Sequence, residues 1–266
     1  MKTPNLICDI MKSTKIFTAV AVLTIAAIGA TGFTNARLLN KANDENKGFA
    51  VVELFTSEGC SSCPPADELL ARIQKADPNA VVLSEHVTYW NGIGWRDPFS
   101  SQDSTERQTN YVQRMGLSSN YTPQMVVNGR YEFVGSDAGA AAQALHQAAA
   151  GTTVPLTISD LKATHNRVAF SLQTGTVDKD AQLMVVVAQD EGIEPVAGGE
   201  NGGRTLHHVQ IARTIRQVAN VKGNSAYSGT VSLDLPRAIA GGGWHLVAFL
   251  QQGRGGPILG VVSQIL

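Results

Sequence analysis

Residues 49–77 contain an apolar run, a turn and a segment with helical periodicity. Residues 49–56, FAVVELFT, are rich in β-branched and aromatic side chains and predict a buried strand. From Pro64, apolar residues recur on one face of a helix that ends at Asp77. Pro64 and Pro65 suit a first helical turn. Backbone N–H groups in that turn have no intrahelical acceptor, so proline, which lacks an N–H group, loses no hydrogen bond there. Residues 80–87, AVVLSEHV, predict a second strand.

Two further helices and a hairpin follow in the next part of the chain. Asp103 is predicted to open a helix that ends at Gly116. The short runs PQMVV and RYEFV predict strands joined by Asn128 and Gly129, a dipeptide that favours the positive φ angles of a tight hairpin. Ser136 is predicted to cap the alanine-rich helix that comes next.

The pattern changes after residue 151, from mixed elements to short β-like runs separated by Gly, Asp and Asn. Several of these runs alternate apolar and polar residues, which is typical of strands with one buried face. Seven such runs in about a hundred residues favour a β-sandwich. They are residues 154–161, 167–174, 181–189, 205–215, 229–235, 244–251 and 258–265.

The order of the elements predicts an α/β fold. The first two strands must run parallel through a right-handed crossover helix, and the next two form an antiparallel hairpin, so the sheet is mixed and has flanking helices. We therefore divide the chain into a leader (1–36), a linker (37–48), an α/β domain (49–151) and a C-terminal antiparallel β-sandwich-like domain (152–266).

The N-terminus has the pattern of a secretory signal. Lys12 and Lys15 precede the uncharged run at residues 16–33, and small residues follow it. An uncleaved membrane anchor is the alternative, because the run is near the lower length limit for a spanning helix. Both interpretations predict export, to the periplasm or outside the cell. Cleavage would remove Cys8 and leave two cysteines in a compartment that permits disulfides.

Composition and charge exclude some partners. The net charge is −1 and aromatic residues make up 6% of the chain, so neither a basic field nor a base-stacking surface is expected. We therefore expect no nucleic-acid partner, and no membrane contact beyond a possible N-terminal anchor.

Cys60 and Cys63 form a C-x-x-C pair between the first strand and the first helix. In a βαβ unit this pair predicts a redox site, because a helix N-terminus stabilises a thiolate. If the helix opens at Pro64, Cys60 lies a few residues ahead of the helix dipole and its activation is weaker. Cys60 would exchange with the substrate and Cys63 would resolve the mixed disulfide. No dissociable cofactor is needed, and the expected partners are protein thiols or disulfides. Two alternatives remain, an inert disulfide and a metal-handling pair.

The metal alternative has little support among the remaining residues. Zinc needs four ligands, commonly a second cysteine pair or two histidines. His207 and His208 are adjacent, which points them to opposite faces of a strand. A copper-handling role stays open. We predict no resident metal.

Several polar and aromatic residues are further candidates for the site. Glu53 lies on an apolar strand, where a carboxylate is costly to bury unless it is paired or protonated, although it could also be a partly exposed residue with no role. Glu58 is closer to Cys60 in sequence and is interpreted as solvated, the alternative being that it raises the pKa of Cys60. Pro123 stands at the entrance to the third strand, a position where proline is tolerated. A further group lies just after the second strand, where α/β sheets bind ligands: His86, Tyr89, Trp90, Trp95 and Asp97. The alternative is that its aromatic residues cover the sheet edge or the domain interface.

The stretch GGENGGRT, residues 198–205, resembles a phosphate loop only superficially. Arg204 stands where lysine is required, and no strand–loop–helix context surrounds it, so nucleotide binding is rejected. Two interpretations remain. Glu200, Asn201 and Arg204 belong either to a loop that closes over the cysteines or to an ordinary β-turn.

The chain contains four motifs in this order: VVELFTSEGCSSCPPAD, HVTYWNGIGWRDPF, YTPQMVVNG and GGENGGRTLHHV. Together they resemble the exported family catalogued as domain of unknown function 1223. The resemblance covers nearly all of residues 49–266 and implies a thioredoxin-like first half. It implies that Pro123 is cis and lies against the cysteines, that Thr122 beside it contacts the substrate, and that Glu53 relays protons. The loop between Glu53 and Cys60 is one residue longer than in thioredoxins.

The sequence therefore predicts an exported thiol–disulfide oxidoreductase. The alternative from a different class is a non-catalytic binding module in which the cysteines form a permanent clip and the β domain recognises a partner. Metal delivery through the two thiolates is the third hypothesis.

Overall fold

The structure is a computed structural model, and it describes residues 48–235 and 243–266. The predicted leader and all but the last residue of the predicted linker lie outside the described residues. The described part of the chain contains no helix that is long and apolar enough to cross a membrane.

The elements follow the predicted order. The first part contains β1 (Ala50–Thr56), α1 (Pro64–Ala76), β2 (Ala80–His86), α2 (Gln102–Met115), β3 (Gln124–Val127), β4 (Tyr131–Val134) and α3 (Ala138–Ala149). The second part contains β5 (Leu156–Thr164), β6 (Arg167–Thr174), β7 (Ala181–Pro195), β8 (Thr205–Val221), β9 (Ser228–Asp234), β10 (Trp244–Gln251) and β11 (Ile258–Ile265).

A large mixed sheet organises the molecule. Its eight strands lie in the order β11-β10-β7-β8-β2-β1-β3-β4, and β5, β6 and β9 form a second, three-stranded sheet. β1 pairs with β2 in parallel and with β3 antiparallel. β8 joins the two parts of the chain because Ser84 of β2 pairs with Ile211 of β8 in parallel. The prediction of an α/β fold with a mixed sheet and flanking helices is confirmed.

Both faces of β1 are covered, which explains why the strand is almost wholly apolar. Val52 and Leu54 pack with α1 and α3 on one face. Phe55 packs with Tyr111 of α2 on the opposite face. Successive side chains of a strand alternate between faces, so Glu53 shares the α2 face with Phe55.

The three-stranded sheet covers the outer part of the large one. Phe170 and Leu172 of β6 belong to one apolar cluster with Leu183 of β7 and Leu246 of β10. The predicted domain boundary falls between α3 and β5. The large sheet contains strands from both sides of that boundary, and Gly48–Leu266 forms one compact unit.

Two predicted helix caps are wrong by one or two residues. Ser101, not Asp103, caps α2, and its hydroxyl accepts a hydrogen bond from Ser104 N at 3.1 Å. Asp137, not Ser136, caps α3 through its carboxylate. In both cases a neighbouring residue of equal capping propensity has the extended backbone that the cap requires.

The Asn128–Gly129 turn fixes the β3–β4 hairpin to the rest of the sheet. Both residues have positive φ, 51° and 59°. The Asn128 side chain accepts a hydrogen bond from Val51 N at 2.7 Å and donates one to Phe49 O at 2.9 Å. The turn therefore anchors the start of β1 as well as closing the hairpin.

Replacing Asn128 tests this double role. Asn128→Gly is expected to lower the free energy of unfolding by about 2 kcal/mol, because the buried Val51 N–H loses its acceptor. Asn128→Ala is expected to cost about 1 kcal/mol more, because alanine is strained at positive φ. Urea unfolding measures both values. Asn166→Ala, in the exposed β5–β6 turn, is the control, and equal values for all three variants would contradict the anchoring role.

Candidate functional site

A disulfide joins Cys60 to Cys63 where β1 leads into α1. The two Cα atoms are 5.4 Å apart. The turn before the helix is held by hydrogen bonds from Cys60 N to Ser57 O at 3.1 Å and from Cys63 N to Cys60 O at 3.2 Å. The cysteines are only 1% and 0% exposed, whereas Ser61 and Ser62 between them are exposed.

The start of α1 offers the sulfur atoms few backbone N–H groups. Cys63 occupies the cap position, and Pro64 and Pro65 have no N–H. The next N–H group, of Ala66, donates to Cys63 O at 2.8 Å. The helix dipole remains, but direct backbone donors for a thiolate at this helix end are already used or missing.

The GGENGGR segment closes over the cysteine turn, as one of the two interpretations had it. We call residues 198–204 the cover loop. Asn201 Nδ2 donates to Glu58 O at 2.8 Å and to Cys60 O at 2.9 Å. Glu200 accepts a hydrogen bond from Ser61 N at 3.0 Å. Arg204 is exposed and donates to Asn201 Oδ1 at 2.9 Å, so it braces the side chain that holds the turn.

Pro123 and Trp90 lie beside the cysteine turn. The Thr122–Pro123 bond is cis. A side-chain carbon at Gly135 would lie 3.1 Å from Pro123 Cβ and 3.2 Å from Ala66 Cβ, so the proline lies next to the first turn of α1. Trp90 Nε1 donates to Thr122 Oγ1 at 2.8 Å. The structure therefore brings Thr122, Pro123 and Trp90 together near the disulfide.

Glu58 is buried, and the expectation that it is solvated is wrong. The side chain is 0% exposed. Its Oε2 accepts a hydrogen bond from Trp95 Nε1 at 2.7 Å, and its backbone N donates to Asp97 Oδ2 at 3.0 Å. Trp95 thus connects the acid to the surface near the cover loop.

A group of buried acids and histidines lies behind the cysteine turn, and we call it the acid–histidine cluster. His208 Nε2 is 3.4 Å from Glu58 Oε1, and His208 Nδ1 is 3.7 Å from Asp67 Oδ1. The rings of His86 and His208 have centroids 4.5 Å apart. His86 Nδ1 is 2.6 Å from Asp97 Oδ2. The cluster is therefore Glu58, Asp67, His86, Asp97 and His208.

The cluster shifts the pKa values of two of its members. Burial alone lowers the pKa of His208, but the Asp67 and Glu58 carboxylates outweigh it and raise that pKa to about 10. Burial raises the pKa of Asp97, but His86 and the backbone N–H groups of Glu58 and Phe99 lower it to about 2. His208 is therefore a cation, and Asp97 an anion, at neutral pH.

Glu53 lies on the opposite face of the sheet from α1. Arg107 Nε and the Tyr111 hydroxyl both donate to its carboxylate. Glu85 Oε1 lies 3.4 Å from Arg107 Nε. Burial, together with the charge of Glu53, raises the pKa of Glu85 well above its ordinary value. The structure does not bring Glu53 to the disulfide, so the buried acids next to the cysteine turn are Glu58 and Asp67 instead.

Sequence reasoning found parts of the acid–histidine cluster but did not assemble it. His86 and Asp97 were noticeable after β2, and His208 is buried while His207 is exposed, as alternation predicts. Nothing local indicated that β8 would bring His208 to Glu58 and Asp67. Among the described residues, no group of three His, Cys, Asp or Glu side chains is arranged to hold a metal ion.

The family described as "Protein of unknown function (DUF1223)" matches residues 51–251, which include every candidate site residue. The chain belongs to this family. None of the curated proteins matches it. Membership in DUF1223 agrees with the four motifs that suggested it.

Two solved structures are similar to this DUF1223 chain. A crystal structure of an Agrobacterium tumefaciens protein has 30% identity and a TM-score of 0.62, and the match covers 82% of this chain and 93% of that one. HBP35 of Porphyromonas gingivalis has 16% identity and a TM-score of 0.59, with 82% and 75% covered. The second likeness concerns the fold alone.

Replacing Asp97 tests the electrostatics of the cluster. Asp97→Asn is expected to lower the free energy of unfolding by about 2 kcal/mol at pH 7, because charged hydrogen bonds to His86 and two N–H groups are lost. The folded pKa of about 2 lies below the ordinary 3.8, so the stabilisation is present above pH 3.8 and is lost as the pH falls through about 2.

The difference between wild type and Asp97→Asn should therefore shrink from pH 5 to pH 2 in urea titrations. Asp178→Asn, which changes an exposed aspartate, is the control. A difference that stays constant over this pH range would contradict the assignment.

Proposed function

We propose that this chain is an exported thiol–disulfide oxidoreductase whose redox centre is the Cys60–Cys63 disulfide. The observation that carries the proposal is the placement of this C-x-x-C disulfide at the start of α1, with Pro123 next to the first turn of the same helix. We also propose that the part from β1 to α3 is thioredoxin-like, which its order of strands and helices supports.

The proposed chemistry needs only the two cysteines and a partner disulfide or dithiol. In the reduced protein, the Cys60 thiolate attacks one sulfur of the partner's disulfide, and the partner's other sulfur leaves as a thiolate. Cys63 then attacks Cys60 Sγ, re-forms the internal disulfide and releases the partner's second thiolate. Two electrons pass to the partner, and the reverse sequence oxidises a partner dithiol.

Exchange requires the structure around the cysteines to open, because both cysteines are buried. Asn201 and Glu200 hold the cysteine turn through three hydrogen bonds, and the loop around them is rich in glycine. Gly199 and Gly203 have φ of 69° and 85°, which glycine adopts readily. We propose that the loop swings away when a partner binds.

Apolar side chains near the disulfide favour a protein partner. Tyr89 and Ile93 are 40% and 53% exposed, and Trp90 and Trp95 are half-buried in the same loop. Together with exposed Arg204, they offer apolar and polar contacts around the cysteine turn. We propose that Thr122, Trp90, Trp95 and Arg204 contact the partner.

A binding module with a permanent disulfide is the second candidate, and the burial of both sulfurs favours it. In that case the cover loop is simply part of the packed structure, and the C-terminal strands recognise a partner. The two candidates differ in how the disulfide responds to reductant in the folded protein.

Equilibration in glutathione and dithiothreitol buffers, followed by trapping of free thiols, separates these candidates. An exchanger is expected to have a reduction potential between about −270 and −120 mV, the range of known oxidoreductases. Near neutral pH, Cys60 rather than Cys63 should be alkylated, because Cys60 is the proposed attacking thiol. A disulfide that resists reduction until the protein unfolds would overturn the proposal and support the permanent clip.

Asn201→Ala tests the opening of the cover loop. The variant loses two hydrogen bonds to the cysteine turn, so dithiothreitol is expected to reduce the disulfide about tenfold faster, as a net change of about 1.4 kcal/mol implies. Asn220→Ala, an exposed change at the far end of β8, is the control and should not alter the rate. Equal rates for Asn201→Ala and wild type would show that the loop does not limit access.

A further inference from the structure

The C-terminal part of the chain contributes a charged side chain to the disulfide centre. His208 is on β8, which begins immediately after the cover loop, and its side chain is fully buried. It lies at ion-pair distance from Glu58 on one side, 3.4 Å, and from Asp67 on the other, 3.7 Å. A single imidazole therefore bridges two acids that belong to the cysteine turn and to α1.

Both acids are close to the cysteines along the chain. Asp67 is four residues after Cys63, and side chains at this spacing on a helix lie about 5–6 Å apart between their Cβ atoms. Glu58 precedes Cys60 by two residues. The side-chain amide of Asn201 donates hydrogen bonds to the backbone carbonyl oxygens of Glu58 and Cys60. The two acids therefore belong to the same short segment as the cysteines, where a negative charge disfavours a nearby thiolate.

His208 is a basic partner shared by the two acids. Glu58 Oε1 and Asp67 Oδ1 are buried and have no hydrogen-bond partner within residues 48–235 and 243–266. Buried carboxylates without a counter-charge would disfavour a thiolate beside them by Coulomb repulsion. The backbone of α1 supplies little help, because its first N–H groups are missing or already bonded.

We propose that His208 is a positioning residue of the disulfide centre, which offsets the negative charge of Glu58 and Asp67 and thereby keeps the Cys60 thiol reactive at neutral pH. The inference rests on the proposed function and deepens it. It also gives the C-terminal part a role in the redox centre itself, in addition to any role in partner choice.

Other ionisable groups around His208 are already paired or lie further away. Asp97 is bound to His86, and Arg213 lies over the Phe99 ring with its guanidinium carbon 5.1 Å from the centroid. The groups that face His208 or its immediate neighbours are Glu58 from the cysteine turn, Asp67 from α1, His86 from β2, Asp97 from the following loop and Arg213 from β8 itself.

The test is the pH profile of Cys60 alkylation in the dithiothreitol-reduced, folded full chain. Loop opening scales the rate of alkylation but not the midpoint of its pH profile, so the midpoint reports the charge near the thiol. His208→Gln is expected to raise the midpoint by about one pH unit, which corresponds to about tenfold slower alkylation at pH 7. His207→Gln changes the exposed neighbour and should coincide with wild type.

Asp67→Asn supplies a second measurement with the opposite sign. Removal of this negative charge is expected to lower the midpoint, and the double variant with His208→Gln should lie between the two single variants. A merely structural role of His208 would not produce shifts of opposite sign. If His208→Gln does not fold, the Asp67→Asn variant alone tests the proposal. An unchanged midpoint of its Cys60 alkylation profile then overturns the proposal.

The outcomes separate this inference from the proposed function. A disulfide that reductant opens in the folded protein, with midpoints that coincide for His208→Gln and His207→Gln, overturns the role of His208 and leaves the oxidoreductase intact. A disulfide that no reductant opens before unfolding overturns both. Shifts of the expected signs support both.

Discussion

The alignment of β8 beside β2 is the constraint on which the rest of the structure depends. One parallel pair, Ser84 with Ile211, connects strands that are more than a hundred residues apart in sequence. Through this contact the C-terminal strands extend the sheet begun by β1 and β2. The same contact fixes the position of the cover loop, which precedes β8, and of His208, which lies near its start. Slippage of β8 along β2 would displace both at once.

Each face of the sheet buries carboxylates, and each face supplies a different basic side chain to pair with them. On the α2 face, Arg107 binds Glu53, and Glu85 beside it has a strongly raised pKa that favours the neutral form. On the α1 face, His208 lies between Glu58 and Asp67. Burial of a carboxylate is expensive unless a counter-charge or a proton compensates for it. Glu53 is therefore paired with Arg107 on one face, and the acids next to the cysteines have a separate partner on the other.

The sequence predicted well wherever a local pattern determined the structure. The apolar run of β1, the helical face of α1 and the Asn128–Gly129 turn each follow from neighbouring residues. All seven C-terminal runs form strands. Cap positions were less predictable, because Ser101 and Asp137 compete with neighbours of similar propensity. The strand order was not predictable either, since four C-terminal strands join the first sheet and only three form a separate one.

At the candidate site too, residues with a local sequence signal were predictable and residues brought in by long-range contacts were not. The cysteine pair and Pro123 carry local signatures, so the sequence identified them. Glu58 was misjudged because no short-range signal shows that Trp95 and His208 would enclose it. Long-range contacts of this kind depend on the tertiary arrangement of loops, which alternation and helical spacing do not encode.

The position of β8 also bears on how the chain tolerates truncation. Within the folded chain, β2 is an interior strand with β1 on one side and β8 on the other. A fragment that stopped after α3 would turn β2 into an open edge and would uncover apolar side chains such as Leu83, which packs with Ala212 and Ile215 of β8. Open apolar edges recruit further strands from solution, so such a fragment would tend to aggregate. The α/β part of the chain therefore needs the C-terminal strands to cover its sheet edge.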